Sequence, residues 1–305
     1  MRAPARPPLV ARHPGPALVV AAVLWGAAGL VSRAAPLPGP VLAFWRCLVG
    51  AGIDQGVLAA RGRRPSWHDL RVAALGGIGF GLSVAFLFVA YKTTTLLSAN
   101  VIACLQPLVL GLVAHRYAGR LDGVAWGATG AAALGTVIVV VGSSAHTGTW
   151  SLRGDLLAVA ATAANVLYIL GTKRAASEIG PLRFQAAMLW VAAIVVLPVA
   201  VATGGAELVP GAGGVVGVLA LIAVGGSGHL VFSAAQRHVS VAASSSILLF
   251  EVIAVSVGAA IVFDQSITAV QALGMLVVTG SIAVWIARTG GEAAAVEPEP
   301  APFGA

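Results

Sequence analysis

Glu251 is the residue whose surroundings ask most of its chemistry. Leu248, Leu249 and Phe250 precede it and Val252 follows, deep inside an apolar run. An ionisable group in such a run is costly and marks a functional position by default. Its carboxyl either meets a solute or a proton, or bonds a neighbouring helix and fixes packing. Asn100, Gln106 and Pro107 form a second polar set in an earlier apolar run. Proline there removes a backbone donor and leaves a carbonyl open to solute or water, or it only kinks the helix. Trp25, Asn165, Tyr168 and Ser245 lie within other runs as candidates to line the same space. Ser245, with Ser244 and Ser246 beside it, has the competing option of bonding its own backbone. His229 is a candidate proton carrier, with helix packing as its other reading. Arg46 either snorkels to an interface or pairs with the carboxylate of a solute, and Asp54, two turns on, is expected to reach toward the opposite interface.

Other chemistries find no support. No nucleophile–base pair, no pair of catalytic carboxylates and no metal-ligand spacing occurs, so neither a metal nor another cofactor is expected. Gly225-Gly226-Ser227-Gly228 has no strand before it and no Lys-Ser/Thr after it, which rules out a phosphate loop. Cys47 and Cys104 sit in apolar runs and read as small buried hydrophobes.

These residues need elements to hold them, and the composition says which. Only 10% of the 305 residues are charged while 58% are hydrophobic, and the mean hydropathy is +0.94. A soluble domain carries about 25% charged residues because its surface faces water; this chain must face lipid. Runs of about 20 apolar residues, the length that crosses a bilayer as a helix, fall at 17–35, 40–59, 72–91, 94–115, 123–142, 154–171, 183–203, 213–234, 240–263 and 267–287. The expectation is an all-α polytopic membrane protein of ten spans. Residues 1–16 form a cytoplasmic tail, 17–142 and 154–287 two halves, and 288–305 a disordered cytoplasmic tail. With both ends inside, all but four of the 18 Lys and Arg fall on the inner side or in the inner loops. Arg33, Lys92 and Arg153 are left outside, and Arg46 lies within a span. That skew is the positive-inside pattern and places the chain in the cytoplasmic membrane. The basic clusters lie between apolar runs, without aromatic interleaving, so the net charge of +7 reflects orientation and no nucleic-acid partner is expected.

The halves also resemble each other. Lys92 to Gly135 pairs without gaps with Arg237 to Gly280, matching Asn100 to Ser245 and Gln106-Pro107 to Glu251-Val252. Trp25 and Tyr168 fall at loosely corresponding places. Lys92 is assigned outside and Arg237 inside, so the halves run in opposite senses, as inverted five-helix repeats would. Trp25-Gly26, Phe44-x-Arg46, Ser98-Ala99-Asn100 through Gln106-Pro107, and Ala242 to Gly280 with its acidic residue resemble the drug/metabolite transporter superfamily, EamA type. In that pattern the ninth helix commonly carries Glu-Pro and ends in Gly-Glu; here Val252 replaces the proline and Phe263-Asp264 the second pair. The resemblance implies a ten-helix carrier with a central cavity, often an exporter of amino acids, other metabolites or drugs. Partners would be a small-molecule substrate and the lipid bilayer, with the chain a monomer or homodimer. A membrane-embedded enzyme and a non-transporting helical membrane protein are the competing readings. The first would need a cluster of catalytic residues at one interface; the second would not need polar residues at matching depths in both halves.

Overall fold

The structure, a computed structural model, describes residues 10, 13–63, 66–103, 105–106, 109, 123–144, 150–235, 238, 249–264 and 267–295. Among them no strand occurs. The helices are α1 (Pro14–Ala34), α2 (Gly39–Ala60), α3 (Trp67–Thr93), α4 (Leu96–Ala103), α5 (Gly123–Ser144), α6 (Leu152–Ala175), α7 (Pro181–Gly204), α8 (Ala212–Ala235), α9 (Leu249–Phe263) and α10 (Ala269–Ala295). Six of these, α1–α3 and α6–α8, are long and apolar enough to cross a membrane, α7 with its 3₁₀ extension to Leu208. Their outward side chains are apolar too: Val20, Ile53 and Ile194 are among the large hydrophobic residues left exposed. A surface of that kind is stable against lipid and unstable against water.

Local sequence explains the helix starts. Pro14, Pro40 and Pro181 stand in the first turns of α1, α2 and α7, where the missing N–H has no partner to lose. Ser66 and Asp69 form a capping box on α3, with Asp69 Oδ2 accepting from Ser66 N at 2.8 Å. Ser151 Oγ accepts from Gly154 N at 3.0 Å and caps α6. α9 ends at Asp264, whose φ of 50° is the left-handed turn that glycine usually makes after a helix. At the other end of the chain, α10 continues past Arg288 to Ala295, so the C-terminal tail begins later than the sequence suggested. The reason is composition: Glu292 to Ala295 are strong helix formers.

Helix pairing follows one rule. α3 packs on α6 and α8 on α1; α4 on α6 and α9 on α1; α2 on α7, α4 on α9 and α5 on α10. Exchanging the first five helices for the last five turns this set of contacts into itself. Glycine makes the closest of these contacts possible. A Cβ on Gly171 would lie 2.3 Å from Gly76 N, and one on Gly79 would lie 2.5 Å from Tyr168 N, so α3 and α6 touch backbone to backbone. Gly135 and Gly274 do the same for α5 and α10. Between lipid-facing helices, where tails are as apolar as side chains, such close approach supplies the packing energy.

Candidate functional site

An aromatic layer joins the two sets of helices. Trp25 of α1 lies 4.6 Å from the ring of His229 and 4.9 Å from that of Phe232, both on α8. Phe80 of α3 lies 5.3 Å from Tyr168 of α6 and 4.7 Å from His229. Tyr168 Oη and His229 Nδ1 are 3.0 Å apart in a hydrogen bond. The Trp25 ring sits on a glycine of the opposing helix: a Cβ on Gly228 would stand 2.8 Å from Trp25 Cδ1. Trp25 and Tyr168, the loosely matched pair of the sequence, lie on α1 against α8 and on α6 against α3.

Arg46 lies against this layer and is only 4% exposed. Its guanidinium carbon stands 4.9 Å from the centre of the Phe80 ring, a cation–π contact. Snorkelling to an interface is thus excluded; the side chain turns inward. Room for it comes from α8, which widens into a π turn over Ile222–Gly226. Gly225 in that turn has no side chain, and a Cβ there would come 3.2 Å from Arg46 Nη2. π turns inside helices are frequent at functional sites.

A cavity of about 240 Å³ opens beside Arg46, between α2, α7 and α8. Asp54, Gln185, Ser227 and His229 supply its other polar groups, and Met188 and Leu189 part of its apolar wall. Asp54 is tied into the site: Gln185 Nε2 donates to its Oδ2 at 2.8 Å. Arg46 Nη1 and Gln185 Oε1 are buried without hydrogen-bond partners, and no acidic group forms an ion pair with Arg46 among the described residues.

The sequence candidates divide into groups. Trp25, Tyr168 and His229 are brought together, and His229 also lines the cavity. Asn165 Nδ2 donates to Gln106 Oε1, joining α6 to the segment after α4 and leaving buried Gln106 Nε2 unpartnered. Asn100 accepts from Tyr91 Oη at 3.2 Å and donates to Leu96 O at 2.8 Å. Glu251 stands in the first turn of α9, half-buried, its main-chain carbonyl against Gly26 of α1, next to Trp25. It is not among the residues lining the cavity. Ser245, Pro107 and Cys104 lie outside the described residues. Sequence reasoning missed Gln185, Phe80 and Phe232. Gln185 had a signal, an amide one turn into an apolar run after Pro181; the two phenylalanines had none among so many apolar residues.

Fold and site together define a polytopic α-helical membrane protein made of two matching sets of helices. The sequence pattern of the EamA-like transporter family matches residues 16–141 and again 152–287, and the chain belongs to that family. It is accordingly a membrane transporter of the drug/metabolite type, as the resemblance implied. None of the curated proteins matches the chain. A solved structure described only as "Crystal structure of protein" is similar at a TM-score of 0.63 and 18% identity, over 94% of this chain and 98% of the other. At that identity the likeness is one of fold.

Proposed function

We propose that the protein is a secondary carrier that exports a small metabolite across the cytoplasmic membrane. Ten spans would form two inverted five-helix halves, residues 17–142 and 154–287, with both termini cytoplasmic and alternating access between them. The observation that carries this reading is the cavity of about 240 Å³ between α2 of the first half and α7 and α8 of the second, lined by Arg46, Asp54, Gln185 and His229. A protein held together only for packing has no need of polar and ionisable side chains around a space between its halves, whereas a carrier does. The exchangeable helix pairing supports the two halves, and the placing of the basic residues supports the orientation. No nucleotide-binding motif is present in the sequence, which favours coupling to an ion gradient; Glu251 and His229 are the residues proposed to handle protons. Trp25, Asn100, Gln106, Asn165, Tyr168, Ser245 and Glu251 are proposed to contact substrate as the halves rock. The cavity lies within one chain, so a monomer suffices as the working unit, alone or within a homodimer.

The test is solute flux through the full-length protein in proteoliposomes, screened over metabolites, with and without an imposed pH gradient. Protein-dependent flux that saturates and shows counterflow supports a carrier. Folded protein that moves none of the solutes, or flux that shows no saturation, overturns it.

A further inference from the structure

The densest run of arginine in the chain joins α2 to α3. Arg61, Arg63 and Arg64 stand in it and Arg71 follows one turn into α3, with Arg64 outside the described residues. Backbone hydrogen bonds fix both ends of this connection. α2 closes on Gly62 at a φ of 68°, with Gly62 N donating to Ala59 O and Arg63 N to Leu58 O, each at 2.9 Å. That is the double bond by which glycine seals a helix end. α3 opens on the Ser66–Asp69 capping box, and Asp69 is itself held by Arg183. Arg61 and Arg63 are thus carried on set backbone.

The two helices expose stripes beside it. On α2, Ile53, Val57 and Arg61 are exposed at steps of four; on α3, Trp67, Arg71, Leu75 and Ile78 are exposed at steps of four, four and three. Such steps keep side chains on one face of a helix. Each stripe is apolar along its helix and bears arginine where it meets the connection. Trp67 is 67% exposed, and the Arg71 guanidinium carbon stands 5.7 Å from the centre of its ring. An indole turned outward at the end of a membrane-spanning helix belongs at headgroup level, where one side is apolar and the other wet.

The positive charge here is not used within the protein. Arg61, Arg63 and Arg71 form no ion pair among the described residues. The acids nearby are engaged elsewhere, Asp69 by Arg183 and Glu178 by His68 at 3.8 Å. What complements the surface is a molecule with a negative head and an apolar tail. Guanidinium groups hold phosphate through charge-assisted hydrogen bonds, and basic clusters beside a membrane span attract anionic lipid.

We propose that the α2–α3 connection binds an anionic phospholipid. Its phosphate lies on Arg61, Arg63 and Arg71, its glycerol region against Trp67, and its acyl chains along the apolar stripes. The site stands apart from the cavity beside Arg46 and holds whether or not the protein transports.

Native mass spectrometry of the full-length protein provides the test, with phosphatidylglycerol and phosphatidylcholine of identical acyl chains titrated from detergent micelles. The first phosphatidylglycerol should bind about ten times or more tightly than phosphatidylcholine, and each lost arginine should weaken that preference roughly threefold to fivefold. Arg61→Gln, Arg63→Gln and Arg71→Gln combined should abolish it. Arg153→Gln, an equal change of charge at an exposed position near the start of α6, should leave it unchanged. Should the triple variant fail to fold, the single variants, each at an exposed position, carry the same comparison. Equal binding of the two lipids by the wild type overturns the proposal. So does an Arg153→Gln variant that loses as much preference as Arg71→Gln, since attraction to the overall positive charge would then suffice. Displacement of the lipid by glycerol 3-phosphate also overturns it, because the arginines would then serve a soluble phosphate.

Discussion

Arg183, in the first turn of α7, grips the fully buried carboxylate of Asp69 at the start of α3, with Nη2 2.6 Å from Oδ1 and Nε 3.2 Å from Oδ2. The same carboxylate caps α3 through Ser66, so one residue both starts a helix of the first half and ties it to the second. Arg183→Ala should lower stability by about 2–4 kcal/mol, since the carboxylate stays buried after its partner is gone. The exposed Ser177, whose hydroxyl donates to Arg174 O, is the control: Ser177→Ala should change stability by less than about 0.5 kcal/mol. Thermal unfolding in detergent reads both, and equal shifts would mean that the ion pair holds nothing.

The glycines of α3 and α6 should tolerate no side chain. Gly171→Ala and Gly79→Ala each put a methyl group against backbone, at 2.3 Å and 2.5 Å, and backbone cannot rotate away. Both variants should lose most of their folded yield. Gly127→Ala and Gly130→Ala on α5 meet nothing within 4 Å and should hold or gain up to about 1 kcal/mol, as alanine does over glycine in a helix. Size-exclusion profiles of the four variants compare them directly.

Tyr168→Phe removes a hydroxyl from its 3.0 Å contact with His229 while keeping the ring that packs on Phe80. Stability should fall by only about 1 kcal/mol, the usual net worth of such a bond. If the aromatic layer takes part in transport, the rate should fall far more than the stability; a rate that tracks folded yield would make the contact a packing one.

Glu251→Gln keeps the size and hydrogen-bonding reach of the side chain and removes its ability to ionise. If the carboxyl handles substrate or protons, flux should drop strongly at an unchanged membrane level, and any dependence on the pH gradient should vanish with it. Wild-type flux in this variant would leave Glu251 a packing residue against α1.

Reporter fusions at the C-terminus should report the cytoplasm, because the proposed inner loops and tails together hold all but four of the 18 Lys and Arg. A periplasmic signal would require an odd number of spans.

The membrane class, the six helices long and apolar enough to cross a membrane, and the family were all legible in the chain, because each depends on local composition. Apolar length and scarce charge dictate a lipid-facing helix wherever they occur, and Trp25-Gly26 or Phe44-x-Arg46 are read without knowing what they touch. Pairing of Asp54 with Gln185, of Asn165 with Gln106 and of Tyr168 with His229 was not legible, since each joins residues far apart in sequence. The direction of Arg46 was equally hidden. A snorkelling arginine and a buried one have the same neighbours in sequence, and only the π turn at Gly225, packed across from α2, made the inward position sterically open. Sequence by itself determined that this protein lives in the bilayer as helices, because solvation acts on each segment separately. Tertiary structure alone decided which polar groups find partners and which residues line a cavity, because that depends on how closely glycine lets particular helices approach.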